Sequence, residues 1–271
     1  KNIADSVYVS ALSRWFQNIG TGIGLLGMAF FSYYQGQIFS IIGVLSLMVA
    51  ILQIFKKNSG NAHISTKKKP KNIKKFSSTI KLKIGLWLLA NLLAVIAYMQ
   101  YLTTLPIFLH YNYSINTAQF SHLLLINIAI VILFQNLVPQ IASIISTRYV
   151  SVIGVLLIGI SFTMVALSKN LMILSFILWS LGDILFFGVS QAYIKLFSQT
   201  DANLNGYFSA LYYAGYFGAK MLAALIGGFL YHHIGGSFVL FFAFVISIFS
   251  GMIFFMIKTG KATEHTVQNL S

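Results

Sequence analysis

The feature that most constrains this chain is the spacing of its long apolar runs: two near the start, a lysine-packed gap from Lys56 to Lys83, then six more. A helix crossing the hydrocarbon of a bilayer needs roughly 20 mostly apolar residues. Eight segments meet that requirement, at about 11–33, 37–55, 84–108, 117–142, 149–168, 171–194, 207–231 and 237–257. With 58% hydrophobic and only 8% charged residues, and a mean hydropathy of +0.82, the chain is too apolar for a soluble domain. The expected fold is therefore an all-α membrane protein of eight transmembrane helices. It divides into a two-span part (1–57), a Lys-rich linker (58–83), a six-span part (84–258) and a tail (259–271).

The net charge of +14 does not point to nucleic acid, because ten of the eighteen basic residues lie in the one gap. A membrane protein's cytoplasmic loop accounts for such a cluster. With that gap placed in the cytoplasm, the alternation of spans puts Arg148, Lys195, Lys258 and Lys261 on the same side and leaves Lys169 as the exception. Both chain ends come out cytoplasmic. Lys1 to Ser10 has neither the charged region nor the apolar core of a signal peptide, so the start reads as an internal position.

The absence of cysteine excludes disulfides, thiolate metal sites and thiol nucleophiles. His232 and His233 are adjacent, so their side chains diverge, and no acid or cysteine supports a metal there. No phosphate-binding glycine loop, nucleophile triad or carboxylate pair is visible, so neither an enzyme nor a cofactor is expected.

An internal echo extends the argument. The turn from Leu26 to Phe39 aligns without gaps on the turn from Leu225 to Phe238, at an offset of 199 (225 − 26), with Leu26, Phe30, Gly36 and Phe39 matched by identical residues. The first two spans then correspond to the last two, and the first half of the architecture lacks four spans.

Three stretches carry a resemblance to a known family. Gln100, Tyr101, Leu105 and Pro106, followed by Gln119, Leu124, Asn127, Gln135 and Pro139, form the first. Leu181, Gly182 and Asp183 form the second, and Asn205, Gly206, Tyr207 and Phe208 the third. They resemble the seventh and eighth, the tenth and the eleventh helices of the major facilitator superfamily, and within it the bacterial drug:proton antiporters. Asn18, Ile19, Gly20, Gly22 and Gly24 are similar to the antiporter motif of the fifth helix, although Leu25 stands where that motif has proline and Met28 and Ala29 replace its closing glycines. The resemblance implies helices 5 to 12 of a twelve-helix fold: the last two helices of the N-terminal bundle and the whole C-terminal six-helix bundle. It implies a secondary active transporter in a bacterial inner membrane, a monomer when complete, taking a small-molecule substrate by alternating access. Export, with proton-coupled multidrug efflux as one form, is the leading reading. A siderophore, sugar or metabolite transporter of the same superfamily is the alternative within the class, and a non-transporting membrane scaffold or assembly subunit the alternative outside it.

Polarity, read span by span, separates cavity walls from lipid-facing helices. The fifth and eighth spans hold nothing more polar than Ser and Thr, whereas the third, fourth, sixth and seventh carry Asn91, Gln100, Tyr101, Asn127, Gln135, Asp183 and Lys220. Amide and charged groups are costly in hydrocarbon unless they meet water or partners, so these four spans should line a polar pathway. Asp183 is the only one of four acids inside a span. Its charged form costs about 2.5 to 3.5 kcal/mol at mid-membrane, which makes it able to take up a proton there. Lys220 lies at similar depth on the next span and is its expected partner, serving either as a coupling switch or as a static pair. Tyr213, Tyr216 and Lys220 share one helical face by their spacing and, with Tyr212, Gln100, Asn127, Gln135 and Arg14, are candidates for substrate binding. Arg14 either snorkels to the inner headgroups or reaches the cavity. Gly20 and Gly24 form a small-xxx-small pair that allows close helix approach at a gate.

Overall fold

The molecule is represented by a computed structural model, which describes residues 78–190, 193–194 and 205–257, with Leu12, Ile19, Gly20 and Met48 as isolated helical positions. The first two expected spans, nearly all of the linker and the tail lie outside the described residues, as do Arg14 and Gly24. Among the described residues all regular structure is helical. The helices are α1 (Ser78–Thr103), α2 (Leu105–Tyr113), α3 (Thr117–Phe134), α4 (Val138–Ile144), α5 (Thr147–Leu167), α6 (Met172–Ser190), α7 (Asn205–Ile234) and α8 (Gly236–Met256). Two 3-10 turns, Gln135–Leu137 and Lys169–Leu171, precede α4 and α6.

Among the described residues, six helical stretches are long and apolar enough to cross a membrane: Lys81–Thr103, Thr117–Ile144, Thr147–Leu167, Lys169–Ser190, Gly206–Ile234 and Gly236–Met256. They coincide with the third to eighth apolar runs of the sequence. Two runs expected to be continuous are broken. The third, expected to reach residue 108, breaks at Thr104, and the fourth breaks at Gln135–Leu137. Each break lies just before a proline in the first turn of the next helix, Pro106 in α2 and Pro139 in α4. Proline has no N–H to donate one turn back and its ring crowds that carbonyl, so the helix restarts there.

Local signals fix the other ends. Asn116 accepts from the Gln119 amide at 2.9 Å while the Gln119 side chain accepts from the Asn116 amide at 3.0 Å, a reciprocal cap that starts α3. Between α7 and α8 the chain turns at Gly235, whose φ of 107° is a region that residues with a Cβ rarely enter. Its N–H closes the end of α7 on Leu230 and Tyr231 carbonyls at 3.2 and 3.1 Å.

α6 packs against α5 and α3, α8 against α5 and α1, and α1 against α7. At the α5–α6 crossing the backbones nearly touch: a Cβ at Gly154 would lie 2.6 Å from the Phe186 nitrogen, and one at Gly182 would lie 2.7 Å from the Gly154 carbonyl. Lipid offers no hydrophobic drive between helices, so such close packing and interhelical hydrogen bonds hold the bundle. Polar clamps join several of the helix interfaces. Gln100 of α1 donates to the Ala223 carbonyl of α7 at 3.0 Å, and Ser250 of α8 to the Ala90 carbonyl of α1 at 2.7 Å. Ser175 of α6 donates to the Ser161 carbonyl of α5 at 2.7 Å, and Asn127 of α3 to Ser180 of α6 at 3.0 Å. Bonds of this kind contribute about 0.6 kcal/mol each on average. Of the six described spans, Lys169–Ser190 is the most enclosed and Gly206–Ile234 the least, with 61% against 17% of their apolar stretches buried.

Candidate functional site

The centre of the bundle is a connected set of aromatic rings on α1, α6 and α7. Trp179 of α6 stacks flat on Tyr101 of α1, with centroids 3.3 Å apart, and on Tyr98 at 5.2 Å. Phe176 meets Tyr101 edge-on at 5.0 Å, and Phe187 meets Tyr98 edge-on at 4.8 Å. Phe187 then reaches Tyr216 of α7 at 6.0 Å, Tyr216 stacks on Tyr212 at 6.3 Å, and Tyr212 on Trp87 at 5.8 Å. The spacing produces this: Trp179, Asp183 and Phe187 are four apart on α6, and Tyr212 and Tyr216 four apart on α7, so each set lies along one face.

Asp183 is on that face, one turn from both Trp179 and Phe187, and only 1% exposed. It is the only acid among the described residues, and it acts electrostatically on Tyr101. Among the described residues, the Tyr101 hydroxyl and the indole N–H of Trp179, one turn from Asp183 on α6, are buried donors that meet no hydrogen-bond acceptor. Buried donors left unmade cost on the order of 1–3 kcal/mol each, so this is a place where an acceptor from a ligand or water would be favourable.

Lys220 sits one turn beyond Tyr216. Its Nζ lies 4.8 Å from the Tyr216 ring centre and 5.9 Å from that of Phe217. The structure thus gives the cation an aromatic seat that spacing along α7 could have shown and the search for a carboxylate partner passed over. Tyr213 is 44% exposed with its ring against Tyr212, whereas Tyr212 is buried with its hydroxyl 3.1 Å from Ser190 Oγ.

The amides divide by role. Gln100 is bonded on both sides, donating to Ala223 and accepting from the Thr104 hydroxyl at 2.6 Å, and Asn127 is held by Ser180. Both fasten helices. Asn91 donates to the Trp87 carbonyl at 2.8 Å, but its buried Oδ1 has no partner. It borders a small cleft shared with Leu88, Tyr212, Gly215 and Tyr216, with room for about one water at ≈ 10 Å³. Gln135 is fully buried with neither amide atom bonded. Among the described residues, nothing lies within 4 Å of a Cβ added at Gly20.

Trp179 and Tyr98 are the central residues that sequence reasoning did not single out. Aromatics inside an apolar run look like packing, and the usable signal was the four-residue step from Trp179 to the one buried acid. Among the described residues no group of His, Asp or Glu is arranged to hold a metal. At the periphery, Lys169 donates to the Tyr113 carbonyl at 3.0 Å and the Tyr113 hydroxyl to the Val165 carbonyl at 2.6 Å, tying α2 to the end of α5. Burial raises the Tyr113 phenol above its ordinary range.

Fold and site define a polytopic helical membrane protein with an ionisable, aromatic-lined interior. The family model of the Major Facilitator Superfamily matches residues 6–216, and the chain belongs to that superfamily of membrane transporters. No curated protein matches the chain.

Proposed function

We propose that this chain is part of a secondary active transporter that exports a small organic compound by alternating access, with Asp183 as the proton-carrying group. The observation that carries this reading is the buried Asp183 set among stacked rings, next to the unpartnered donors of Tyr101 and Trp179. A carboxylate in that setting is stabilised by a proton, a cation or a hydrogen-bond donor on the substrate, and only one of these is needed at a time. Exchange among them links proton release to substrate binding. Binding also favours whichever helix arrangement supplies the better partners.

Stacking on the partly exposed rings of Tyr98 and Tyr216 supports a planar or aromatic compound, and the Lys220 ammonium over Tyr216 supports one that carries an acceptor. Lys220, at similar depth on the neighbouring span by its place in the sequence, is the cation assigned to answer Asp183 when that residue is charged. By the alternation of spans, the linker and both chain ends are assigned to the cytoplasm, where the linker's lysines are attracted to anionic lipids.

The test is flux of a fluorescent aromatic dye in proteoliposomes under an imposed pH gradient. Wild type should move dye with the gradient, and Asp183→Asn should lose gradient-driven movement while still exchanging dye at equilibrium. Dye flux in Asp183→Asn that still follows the gradient would remove Asp183 from coupling. No flux in wild type would favour the scaffold.

A further inference from the structure

We propose that the groove between α5 and α8 is a binding site for an anionic phospholipid, with the headgroup phosphate on Arg148 and one acyl chain along the groove. The groove holds about 330 Å³ and is lined without any polar surface by Val152, Leu156, Ile248, Gly251, Met252 and Phe255, among others. Gly251 keeps it open: the nearest side-chain atoms to a Cβ built there are those of Leu156 and Val152, at 3.8 Å. From Phe255 to Ile248 it runs along α8 for about 10 Å at ~1.5 Å per residue, away from the Arg148 end and into the apolar layer. Met252 and Phe255 are 59% and 55% exposed, so this is an open channel on the outside of the bundle.

Arg148 stands at its mouth, one helical turn before Val152. The guanidinium carbon lies 4.5 Å from the centre of the Tyr149 ring and 5.4 Å from that of Phe255, so the cation is held across the α5–α8 seam. One N–H donates to the Tyr149 hydroxyl at 2.9 Å, and the buried Nε has no acceptor. Among the described residues no carboxylate pairs with this arginine, since the sole acid there, Asp183, belongs to the central cluster. A guanidinium presents five donors and binds phosphate oxygens in pairs, so most of its capacity is open. The first turn of α5 adds to the attraction: it has no acid and no side-chain cap, which leaves backbone N–H groups and the positive helix end facing the same interface.

Charge complementarity selects the occupant. A phosphatidylcholine headgroup carries its own cation and competes with Arg148, whereas phosphatidylglycerol brings an uncompensated phosphate. An apolar channel ending at a cation matches one acyl chain joined to one phosphate. In sequence, Lys258 comes two residues after the end of α8 and Lys261 five, on the same side as Arg148 by the alternation of spans.

The experiment places a reporter in the groove with Phe255→Trp and reconstitutes the chain in phosphatidylcholine vesicles containing chain-brominated phosphatidylglycerol or chain-brominated phosphatidylcholine. The parent chain supplies the background of its own tryptophans. Half-maximal quenching should need several-fold less brominated phosphatidylglycerol than brominated phosphatidylcholine. Arg148→Gln should erase that difference and Arg148→Lys should keep most of it. Gly251→Leu, which fills the channel and leaves Arg148 intact, should cut quenching by the anionic lipid, and decides the matter if Arg148→Gln does not reconstitute. Equal quenching by both lipids in the reporter chain, or a preference surviving Arg148→Gln or Gly251→Leu, would overturn the site. Loss of the preference on adding millimolar inorganic phosphate would make it a phosphate site and overturn the lipid.

Discussion

At the scale of single residues, the interior separates polar groups that fasten helices from polar groups that await a partner. Gln100 is a fastener whose importance comes from the glycine opposite. A Cβ on Gly227 would run into Gln100 Oε1 and lie 2.7 Å from Thr104 Oγ1, so α7 reaches the Ala223 bond only because residue 227 has no side chain. Gly227→Ala should therefore destabilise the protein by about 1–3 kcal/mol, the range for overpacking. Gln100→Ala in the same chain should recover the steric part of that loss. Thermal unfolding of the three variants in detergent checks this, and a double variant no more stable than Gly227→Ala would refute the account. Tyr216 is of the other kind, because its ring supports Lys220 at 4.8 Å and faces Phe187. A desolvated cation–π contact contributes about 0.5–2 kcal/mol. Tyr216→Phe should leave dye affinity nearly unchanged, while Tyr216→Ala should weaken it by several-fold to about 30-fold at equal protein yield. Equal loss of yield and affinity would instead assign the ring to packing. Neither distinction was visible in the sequence, where Gln100 and Gln135 looked alike. What separates them is whether a neighbouring backbone meets the amide.

At the scale of elements, the fourth span is the informative one. Pro139 was visible in the sequence, yet a hydropathy pattern is unaffected by a proline, so the span from 117 to 142 read as one helix. The structure divides it at Gln135–Leu137, and the divided region holds Gln135 fully buried with both amide atoms unpartnered, its Nε2 facing Gly188 of α6. Helix breaks inside membranes are tolerated where other groups answer the freed polar atoms. Here the side chain that could answer is itself unsatisfied, which fits an element that finds its partners in a second arrangement of α4 against α6. Gln135→Leu removes a buried unsatisfied amide of similar size, so it should raise the stability of this conformation by about 1–3 kcal/mol. If the second arrangement needs the amide, the same change should slow transport several-fold. Thermal unfolding together with dye flux measures both, and a variant that is less stable, or more stable with full transport, would show that the amide has no such part.

At the scale of the whole molecule, the six-span bundle was legible because the bilayer's thickness imposes a length on every span, and that length is written in composition alone. Which faces meet lipid and which meet the pathway was legible only in outline, because exposure to lipid and exposure to a water-filled cavity both permit apolar side chains. α7 and α8 show the difficulty: Phe217 and Phe249 are 61% and 57% exposed. Their neighbours differ, since Phe217 lies beside Lys220 and Tyr216, while Phe249 is on a span with nothing more polar than serine. The transport reading requires the first face to be wet and the second to be in lipid. The chain has no cysteine, so single cysteines can be placed in the native sequence without further change. Maleimides react with the thiolate, which forms in water and is suppressed in hydrocarbon. Tyr213→Cys and Phe217→Cys should therefore label with N-ethylmaleimide at least tenfold faster than Phe249→Cys and Ile153→Cys in proteoliposomes. A substrate dye should slow the first pair and leave the second unchanged. Labelling at equal rates on both faces would mean that the exposed side of α7 lies in lipid, and the pathway would have to be sought elsewhere in the bundle.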